Sequence, residues 1–393
     1  MSRQLFVYEK DMPTVAIFRA AEMKKAEKLG TEPRFVRLAD ITEEDLDWCQ
    51  VLVQIRPHAP FSAYVAKKAK QAGRFVIAYY DDDIYNLPKS LPNPVWRKNS
   101  VLHTLQNSHM VSSSSRHICE KYKKHTVQNR SYVGDTTVAA EEIKRIALLE
   151  TAVNGEKVKL IYAAGPGHTV FFNRFILPVM PQLCERYAGK ISMTFMGVHP
   201  ELEQFATQIE ITYYPTMGLE EYRKKISEGN YDIGLSPLIS DEFTKCKYFN
   251  KFIEYTMAGI VGVYSETEPY TYVVKNDENG FLAKDDPQDW YECLCRVIDN
   301  ALLRNRCVCA AQELLEKEFS QKALLEQEKK EVPEILSYEV ERKTCGEITF
   351  RRSVYKMMCK LEKLYLVLFY LKNDGFSFVF NKIKNYNKNK AYS

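Results

Sequence analysis

The sequence lacks a long hydrophobic run, a strong charge of either sign and a glycine-rich dinucleotide fingerprint. Its longest apolar run, Leu364–Leu371, is far shorter than the roughly 20 residues that span a bilayer, so no transmembrane helix is predicted. The formal net charge is +4 over 393 residues, which is too small to indicate nucleic acid as a partner. The missing GxGxxG pattern argues against a dehydrogenase, and no nucleophile elbow indicates a serine hydrolase.

Cysteine is present but shows no pattern of a disulfide framework. The ten cysteines are spread thinly, and the first residues, MSRQLFVYEKDM, hold no apolar core of the length that a secretory signal needs. We therefore expect a reducing, cytosolic setting with free thiols. The CxC pairs Cys293/Cys295 and Cys307/Cys309 lie in helical patterns, where positions i and i+2 point apart. That spacing favours buried thiols over a metal site.

Two series of alternating strand and helix patterns make up most of the chain. The first begins at residue 3, the pattern weakens over 126–156, and the second begins at Lys157. Because a strand–helix–strand order produces parallel sheets with helices on both faces, we predict two doubly wound α/β domains. The predicted boundaries are 1–135 for an N-terminal domain, 136–156 for a linker, 157–320 for a C-terminal domain and 321–393 for a helical, basic tail.

The most informative stretch is Lys247–Leu282. Its first apolar residues repeat at the spacing of an amphipathic helix, which Gly259 ends. Lys247, Lys251 and Glu254 fall on another face of that helix, and a short buried strand follows. Ligands in parallel α/β sheets bind beyond the strand ends, so these charged residues are candidates for a binding site, with a solvated helix face as the alternative.

Three consecutive aspartates, Asp81, Asp82 and Asp83, directly follow a predicted strand. Carboxylates at that position can orient an acceptor hydroxyl or act as a general base; the alternative is a solvated turn that caps a helix. Arg19 and Arg56 are candidates for the same cleft, with surface salt bridges as their alternative.

A glycine-rich loop follows the first strand of the second series. Glycines let a backbone approach a phosphate closely, so Gly165, Gly167 and His168 are candidates for phosphate or sugar contact. An ordinary glycine-rich turn is the alternative.

The stretch Glu254–Leu282 resembles the donor-binding segment of GT-B glycosyltransferases, in particular those similar to glycosyltransferase family 4. The family pattern is an acidic residue in a helix, then Ala-Gly, a buried strand and Asn-Gly-Leu; the last part reads Asn279-Gly280-Phe281-Leu282 here. The run Asp81–Pro88 resembles the acidic, aromatic and Leu-Pro segment of many such enzymes. Gly165–His168 resembles the first loop of their donor domain. The resemblance covers roughly residues 3–320.

The resemblance implies a GT-B fold, with two Rossmann-like domains that face a central cleft. It also implies transfer of a sugar from a nucleotide donor, UDP-linked, to a hydroxyl of a glycan or lipid-linked acceptor, with retained anomeric configuration and no metal or cofactor. The residues implied to bind the donor are Glu254, Lys251, Lys247, His168, Gly167 and Gly165. The implied catalytic residues are Asp81, Asp82 and Asp83, and Arg19 and Arg56 are implied to line the acceptor side of the cleft.

Two other functions stay open. Many family members carry a Glu-x7-Glu pattern; Glu254 matches its second glutamate, and Cys246 stands at the first. A non-catalytic GT-B subunit that binds glycan or an active transferase is therefore one alternative, and a GT-B epimerase or phosphorylase is the other.

The end of the chain is basic. Over 351–393, basic residues alternate with apolar ones, which predicts contact with an anionic membrane surface or a partner; the alternative is a helix packed back on the domain. The expected location is cytoplasmic, with peripheral contact to the inner face of a membrane.

Overall fold

The computed structural model describes residues 1–87, 95–150, 157–340 and 343–390. The chain divides into two compact units. Unit 1 comprises Met1–Val133 with Glu328–Ser393, and unit 2 comprises Gly134–Gln327. Parts of three predicted segments lie outside the described residues: Pro88 of the acidic segment, 151–156 of the linker, and 341–342 and 391–393 of the tail.

Unit 1 is built on a six-stranded sheet. Its strands are β1 (Ser2–Tyr8), β2 (Thr31–Arg37), β3 (Val51–Ile55), β4 (Phe75–Tyr79), β5 (Met110–Ser113) and β6 (Arg130–Val133). Its first helices are α1 (Pro13–Leu29), α2 (Glu43–Trp48), α3 (Pro60–Gln71), α4 (Val95–Gln106) and α5 (Arg116–Lys123). The strands are parallel, in the order β2-β1-β3-β4-β5-β6, so the chain changes direction across the sheet between β1 and β3.

Unit 2 contains a second parallel sheet. Its strands are β7 (Val158–Ala163), β8 (Ile191–Met196), β9 (Glu210–Tyr214), β10 (Ile233–Ser236), β11 (Val261–Ser265) and β12 (Phe281–Ala283). Its helices are α6 (Thr169–Phe175), α7 (Met180–Arg186), α8 (Leu219–Glu228), α9 (Asn250–Met257), α10 (Pro287–Asp299) and α11 (Ala301–Glu318). The order is β12-β11-β10-β7-β8-β9, and Ile233 of β10 aligns with Val261 of β11 and Leu160 of β7.

Each sheet is covered by apolar residues on both faces, and the predicted pair of doubly wound α/β folds is confirmed. The helix predicted in the informative stretch is also confirmed. Phe252 and Ile253 of α9 are buried, and Gly259 follows the helix with a φ of 73°, a conformation that favours glycine. Lys247 lies before this helix rather than in it.

The segments outside the two sheets pack on one unit or the other. The start of the predicted linker packs on unit 2, where Gln312 donates to the Lys144 carbonyl and accepts from the Ile146 N–H. The last helices are α12 (Gln321–Glu331) and α13 (Thr349–Lys390). The division between the units falls within α12, so the segment predicted as a tail belongs to unit 1 from Glu328 onward.

Two sequence expectations concern features of the whole chain. All ten cysteines lie in the described part of the chain, and none of them forms a disulfide. Within the described residues, every helix is too short or too polar to cross a bilayer.

Candidate functional site

The sheet of unit 2 changes direction between β7 and β10, which lie side by side although they are not consecutive in the chain. Connections from two such strands run to opposite faces and leave a crevice at the carboxyl ends, where α/β sheets bind ligands. The loop with Gly165, Gly167 and His168 follows β7, and the segment with Lys247 and α9 follows β10. All six residues predicted to bind the donor therefore come after these two strands.

Lys251, Glu254 and Tyr222 form a hydrogen-bonded group, the Lys251 cluster. The Lys251 ammonium donates to Glu254 Oε2 at 2.6 Å and to the Tyr222 hydroxyl at 2.8 Å. Tyr222 donates to the same Oε2 at 2.8 Å. Lys251 and Glu254 share one face of α9 because they are three residues apart, whereas Tyr222 comes from α8.

The Lys251 cluster lies at the surface of unit 2 and retains capacity for a ligand. The side chains of Lys251 and Glu254 are 22% and 27% exposed. Among the described residues, Glu254 Oε1 has no hydrogen-bond partner, so this oxygen can accept from a bound molecule. Burial and the charge of Glu254 raise the pKa of Tyr222 well above its ordinary value, which keeps its hydroxyl protonated as a donor.

The charges of two nearby lysines contribute to the pKa of His168. Burial, followed by the positive charges of Lys247 and Lys251, lowers the pKa of His168 to about 4, so the imidazole is neutral at pH 7. The Tyr162 hydroxyl donates to the His168 carbonyl at 2.8 Å, and the imidazole packs edge-on against Phe171. Because Glu254 pairs with Lys251, the two lysines and this carboxylate together leave a net positive charge near the neutral imidazole, which favours an anion.

The two loop glycines are not required by the packing of the chain itself. Gly165 and Gly167 have no positive φ, and a Cβ added to either would meet nothing within 4 Å. By contrast, Gly197 after β8 has a φ of 76°, and a Cβ there would lie 2.4 Å from the Ala164 carbonyl oxygen. The backbone at Gly165 and Gly167 is therefore open to a ligand, whereas Gly197 is needed for two loops to approach each other.

The side chain of Cys246 points into the protein. Cys246 stands where many enzymes of the family that the sequence resembles carry a glutamate. Cys246 is buried, and its thiol donates to the Glu242 carbonyl at 3.3 Å. The side chain at this position therefore packs within unit 2 rather than presenting a polar group to a ligand.

In unit 1, Arg56 joins two of the predicted catalytic aspartates. Its guanidinium lies 2.6 Å from Asp81 Oδ1 and 3.0 Å from Asp82 Oδ2, and Thr14 donates to Asp81 Oδ2 at 2.7 Å. Because β3 and β4 are adjacent and parallel, their carboxyl ends bring Arg56 and the aspartates to one edge of the sheet. Asp81 and Asp82 are partly exposed at this edge.

Asp83 differs from its two neighbours because it is fully buried. Lys121 donates to its Oδ2 and Tyr122 to its Oδ1, both at 2.6 Å, and the Asn86 amide also donates to the carboxylate. Burial pushes the pKa of Asp83 upward, but these hydrogen bonds outweigh burial and hold the pKa below its ordinary value. With these donors on its oxygens, Asp83 has the geometry of a structural carboxylate, and its catalytic role stays a prediction.

Arg19 is not part of the group that Arg56 forms with Asp81 and Asp82. It donates to the Tyr8 hydroxyl at 3.2 Å and lies over the Phe35 ring, with which it packs α1 against the sheet. The structure therefore brings Arg56 to the aspartates but leaves Arg19 apart from them.

Comparison with known structures decides the fold. Neither a protein-family model nor a curated protein matches the sequence significantly. Sucrose-phosphate synthase from Thermosynechococcus elongatus matches with a TM-score of 0.58 and 11% identity, over 84% of this chain and 98% of that protein. HepE from Anabaena, in complex with UDP and glucose, matches with a TM-score of 0.56 and 10% identity, over 83% and 98%. The fold is GT-B.

A third structure shares only part of its length with this chain. TarM matches with a TM-score of 0.51 and 9% identity, over 73% of this chain, which spans about 55% of TarM. At identities of 9–11%, the likeness to these proteins establishes the GT-B fold and leaves activity to be argued from the site.

Two polar residues of this GT-B chain, Tyr222 and Glu9, were not predicted from the sequence. Tyr222 lies in α8, where a single tyrosine among charged residues gives no signal of its distant partners. Glu9 follows β1 and accepts hydrogen bonds from the backbone N–H groups of His58 and Ala59 and from the Ser62 hydroxyl, which caps the start of α3. Its position directly after a predicted strand is the signal that identified the aspartates and would also have identified Glu9.

Proposed function

We propose that this protein transfers a sugar from a nucleotide donor, UDP-linked, to a hydroxyl of a glycan or lipid-linked acceptor, with retained anomeric configuration. The observation that carries the proposal is the grouping of Lys247, Lys251, His168 and Glu254 after β7 and β10. A nucleotide sugar needs a positive site for its diphosphate and an acceptor group for its ribose hydroxyls. HepE, which shares the fold, has been crystallised with UDP and glucose.

Each donor contact has a chemical reason. The ammonium groups of Lys247 and Lys251 neutralise the diphosphate, whose charge increases as the glycosidic bond breaks. Neutral His168 donates one hydrogen bond without adding a charge. Glu254 Oε1 accepts from the ribose, while Oε2 continues to hold Lys251 in place. The open backbone at Gly167 admits the phosphate oxygens.

We assign the acceptor to the edge of the unit 1 sheet where Arg56 meets Asp81 and Asp82. Asp81 and Asp82 are the partly exposed carboxylates there, and they orient the acceptor hydroxyl. The setting that we propose is the cytoplasm, with contact to the inner face of a membrane through the basic segment 351–393.

A panel of nucleotides and nucleotide sugars tests the donor assignment by thermal unfolding. A ligand at 100 times its Kd stabilises the native state by about 2.7 kcal/mol. That corresponds to a rise in Tm of roughly 5–10 °C for a unit of this size. We expect UDP-linked compounds to produce this rise and adenosine to produce none. Unchanged Tm with every nucleotide diphosphate would contradict the proposal.

A non-catalytic sugar-nucleotide-binding subunit is the second candidate. The buried thiol of Cys246, in place of a family glutamate, is the observation that favours it. Stabilisation by UDP-sugars without release of UDP in the presence of any glycan acceptor would support this candidate over the transferase.

Tyr222→Phe is expected to raise the KM for the donor about tenfold with little change in kcat. The change removes the hydroxyl that holds Glu254 and Lys251 in register, and one hydrogen bond to a charged group contributes roughly 1.5 kcal/mol. Tyr213→Phe is a matched control because it removes a tyrosine hydrogen bond to the Pro200 carbonyl, elsewhere in unit 2. Equal KM values in the two variants would show that Tyr222 has no role in donor binding.

The His168 pKa is expected to be about 4 in the free protein and to rise when UDP binds. The negative diphosphate stabilises the imidazolium form and offsets the field of Lys247 and Lys251. NMR titration of the imidazole resonances measures both values, with His168→Gln to assign the signal. A His168 pKa that is the same with and without saturating UDP would place the diphosphate elsewhere.

A further inference from the structure

The face of α13 that points away from unit 1 carries an exposed apolar stripe. It consists of Met357, Leu361, Leu364 and Leu368, which are 57%, 57%, 56% and 57% exposed. Their spacing of four, three and four residues places them on one side of the helix, over a length of about 17 Å. Large apolar residues in a continuous row, each more than half exposed, indicate a surface that contacts a partner.

Contacts between the opposite face of α13 and the rest of unit 1 determine which way the stripe faces. Tyr355 is buried and stacks on Phe61, with ring centroids 5.5 Å apart. Arg352 donates to the Ile41 carbonyl at 2.6 Å. Glu362 lies 3.4 Å from Lys10 and 3.6 Å from Arg97. The helix is therefore docked on unit 1 by one face and cannot rotate to bury the other.

Cations border the stripe. Lys356, Lys360 and Lys363 each precede a stripe residue by one position, so they form a row along one side of it. Lys356 lies 3.7 Å from the exposed Asp40, whereas Lys360 and Lys363 have no ion-pair partner among the described residues. Lys372 lies on the other border, and the acidic Glu362 belongs to the docked face.

We propose that this face of α13 binds an anionic lipid surface. The stripe enters the boundary between headgroups and acyl chains, and the lysines extend along its border to lipid phosphates. The inference deepens the membrane contact proposed above and rests on that part of the proposed function alone. Donor binding belongs to unit 2 and is measured separately, so either proposal can fail without the other.

The charges favour a lipid over a second copy of the chain. Two antiparallel copies joined along the stripe would bring like-charged lysine rows together, and parallel copies would bring the row towards Lys372, whereas stable helix pairs place opposite charges at their borders. An anionic bilayer instead attracts each lysine by roughly 1 kcal/mol, about fivefold in binding.

Vesicle sedimentation with the full chain tests the proposal. Vesicles of phosphatidylcholine alone are compared with vesicles that contain about one third phosphatidylglycerol, at low and high salt. The apolar variant is Leu361→Ser with Leu364→Ser, and Leu302→Ser, on the exposed side of α11 in unit 2, is its control. The charge variant is Lys356→Gln, Lys360→Gln and Lys363→Gln, and Lys224→Gln is its control. All these side chains are exposed, and the Tm of each variant verifies folding.

We expect the wild type to bind the anionic vesicles in a salt-sensitive way and the neutral vesicles at least tenfold more weakly. The apolar variant should lose at least about tenfold and the charge variant about 100-fold in binding, while both controls bind like the wild type. The proposal is overturned if the wild type does not bind anionic vesicles, or if the apolar and charge variants bind them as strongly as the wild type does. It is also overturned if sedimentation equilibrium shows a dimer that the leucine changes dissociate.

Discussion

Replacing Glu254 with alanine is expected to lower kcat/KM for the sugar-nucleotide donor about 100-fold while the fold stays intact. The change removes the proposed acceptor for the ribose and also releases Lys251 and Tyr222, which both donate to Oε2. Hydrogen bonds to charged groups contribute roughly 1.5–3 kcal/mol each, so one contact accounts for 10–150-fold. Steady-state release of UDP from the donor measures the loss.

The chain offers a matched control for this change. Glu228 on α8 pairs with Lys224 at 4.0 Å, and both side chains are largely exposed. Glu228→Ala therefore removes a glutamate from a Lys–Glu pair of the same unit, outside the site. We expect activity like that of the wild type and a free energy of unfolding that changes by less than about 0.5 kcal/mol. Similar losses in the two variants would mean that Glu254 contributes only surface charge.

The Asp83→Asn variant is expected to lose about 3–5 kcal/mol of the free energy of unfolding of unit 1. The Asp83 side chain is fully buried, and the substitution removes the charged carboxylate that accepts from Lys121, Tyr122 and Asn86. Breaking a buried ion pair has this cost, because several donors that face a buried carboxylate lose their charged acceptor together. Urea unfolding measures the loss, and UDP binding by unit 2 is expected to be unchanged.

Asp82→Asn is the control for this stability prediction. Asp82 is 31% exposed and faces Arg56, so its removal should cost less than about 1 kcal/mol. If Asp83→Asn is no more destabilising than Asp82→Asn, Asp83 is not the structural carboxylate that its burial indicates.

Lowering the pH is expected to destabilise unit 1 through the Asp83 carboxylate. The folded-state pKa of Asp83 is lowered, so the unfolded chain binds its proton first as the pH falls. The stabilisation is complete above the unfolded value of about 3.9 and is lost as the pH falls through the folded value. The wild type should therefore lose stability below about pH 4 more steeply than Asp83→Asn.

Local patterns allowed the framework around α9 and the His168 loop to be predicted. The apolar spacing around Phe252 and the glycine at Gly259 define α9 and its end without help from distant residues. The loop that ends at His168 was likewise recognisable from its glycines. Both features depend on neighbours within a few positions, which is why sequence alone was sufficient.

The roles that could not be predicted depend on contacts between distant segments. Asp83 looks like Asp81 and Asp82 in the sequence, and only its partners 38 and 39 residues away, Lys121 and Tyr122, make it structural. Tyr222 is 32 residues from Glu254. The return of the chain to unit 1 at Glu328 likewise depends on packing that periodicity does not reveal.

A crystal structure with bound UDP tests the central claim most directly. We predict that the diphosphate lies against His168, Lys247 and Lys251, with a ribose hydroxyl on Glu254 Oε1. Unit 2 supplies all four residues, so the result does not depend on the acceptor. UDP bound at another edge of either sheet, with the Lys251 cluster unoccupied, would contradict the account.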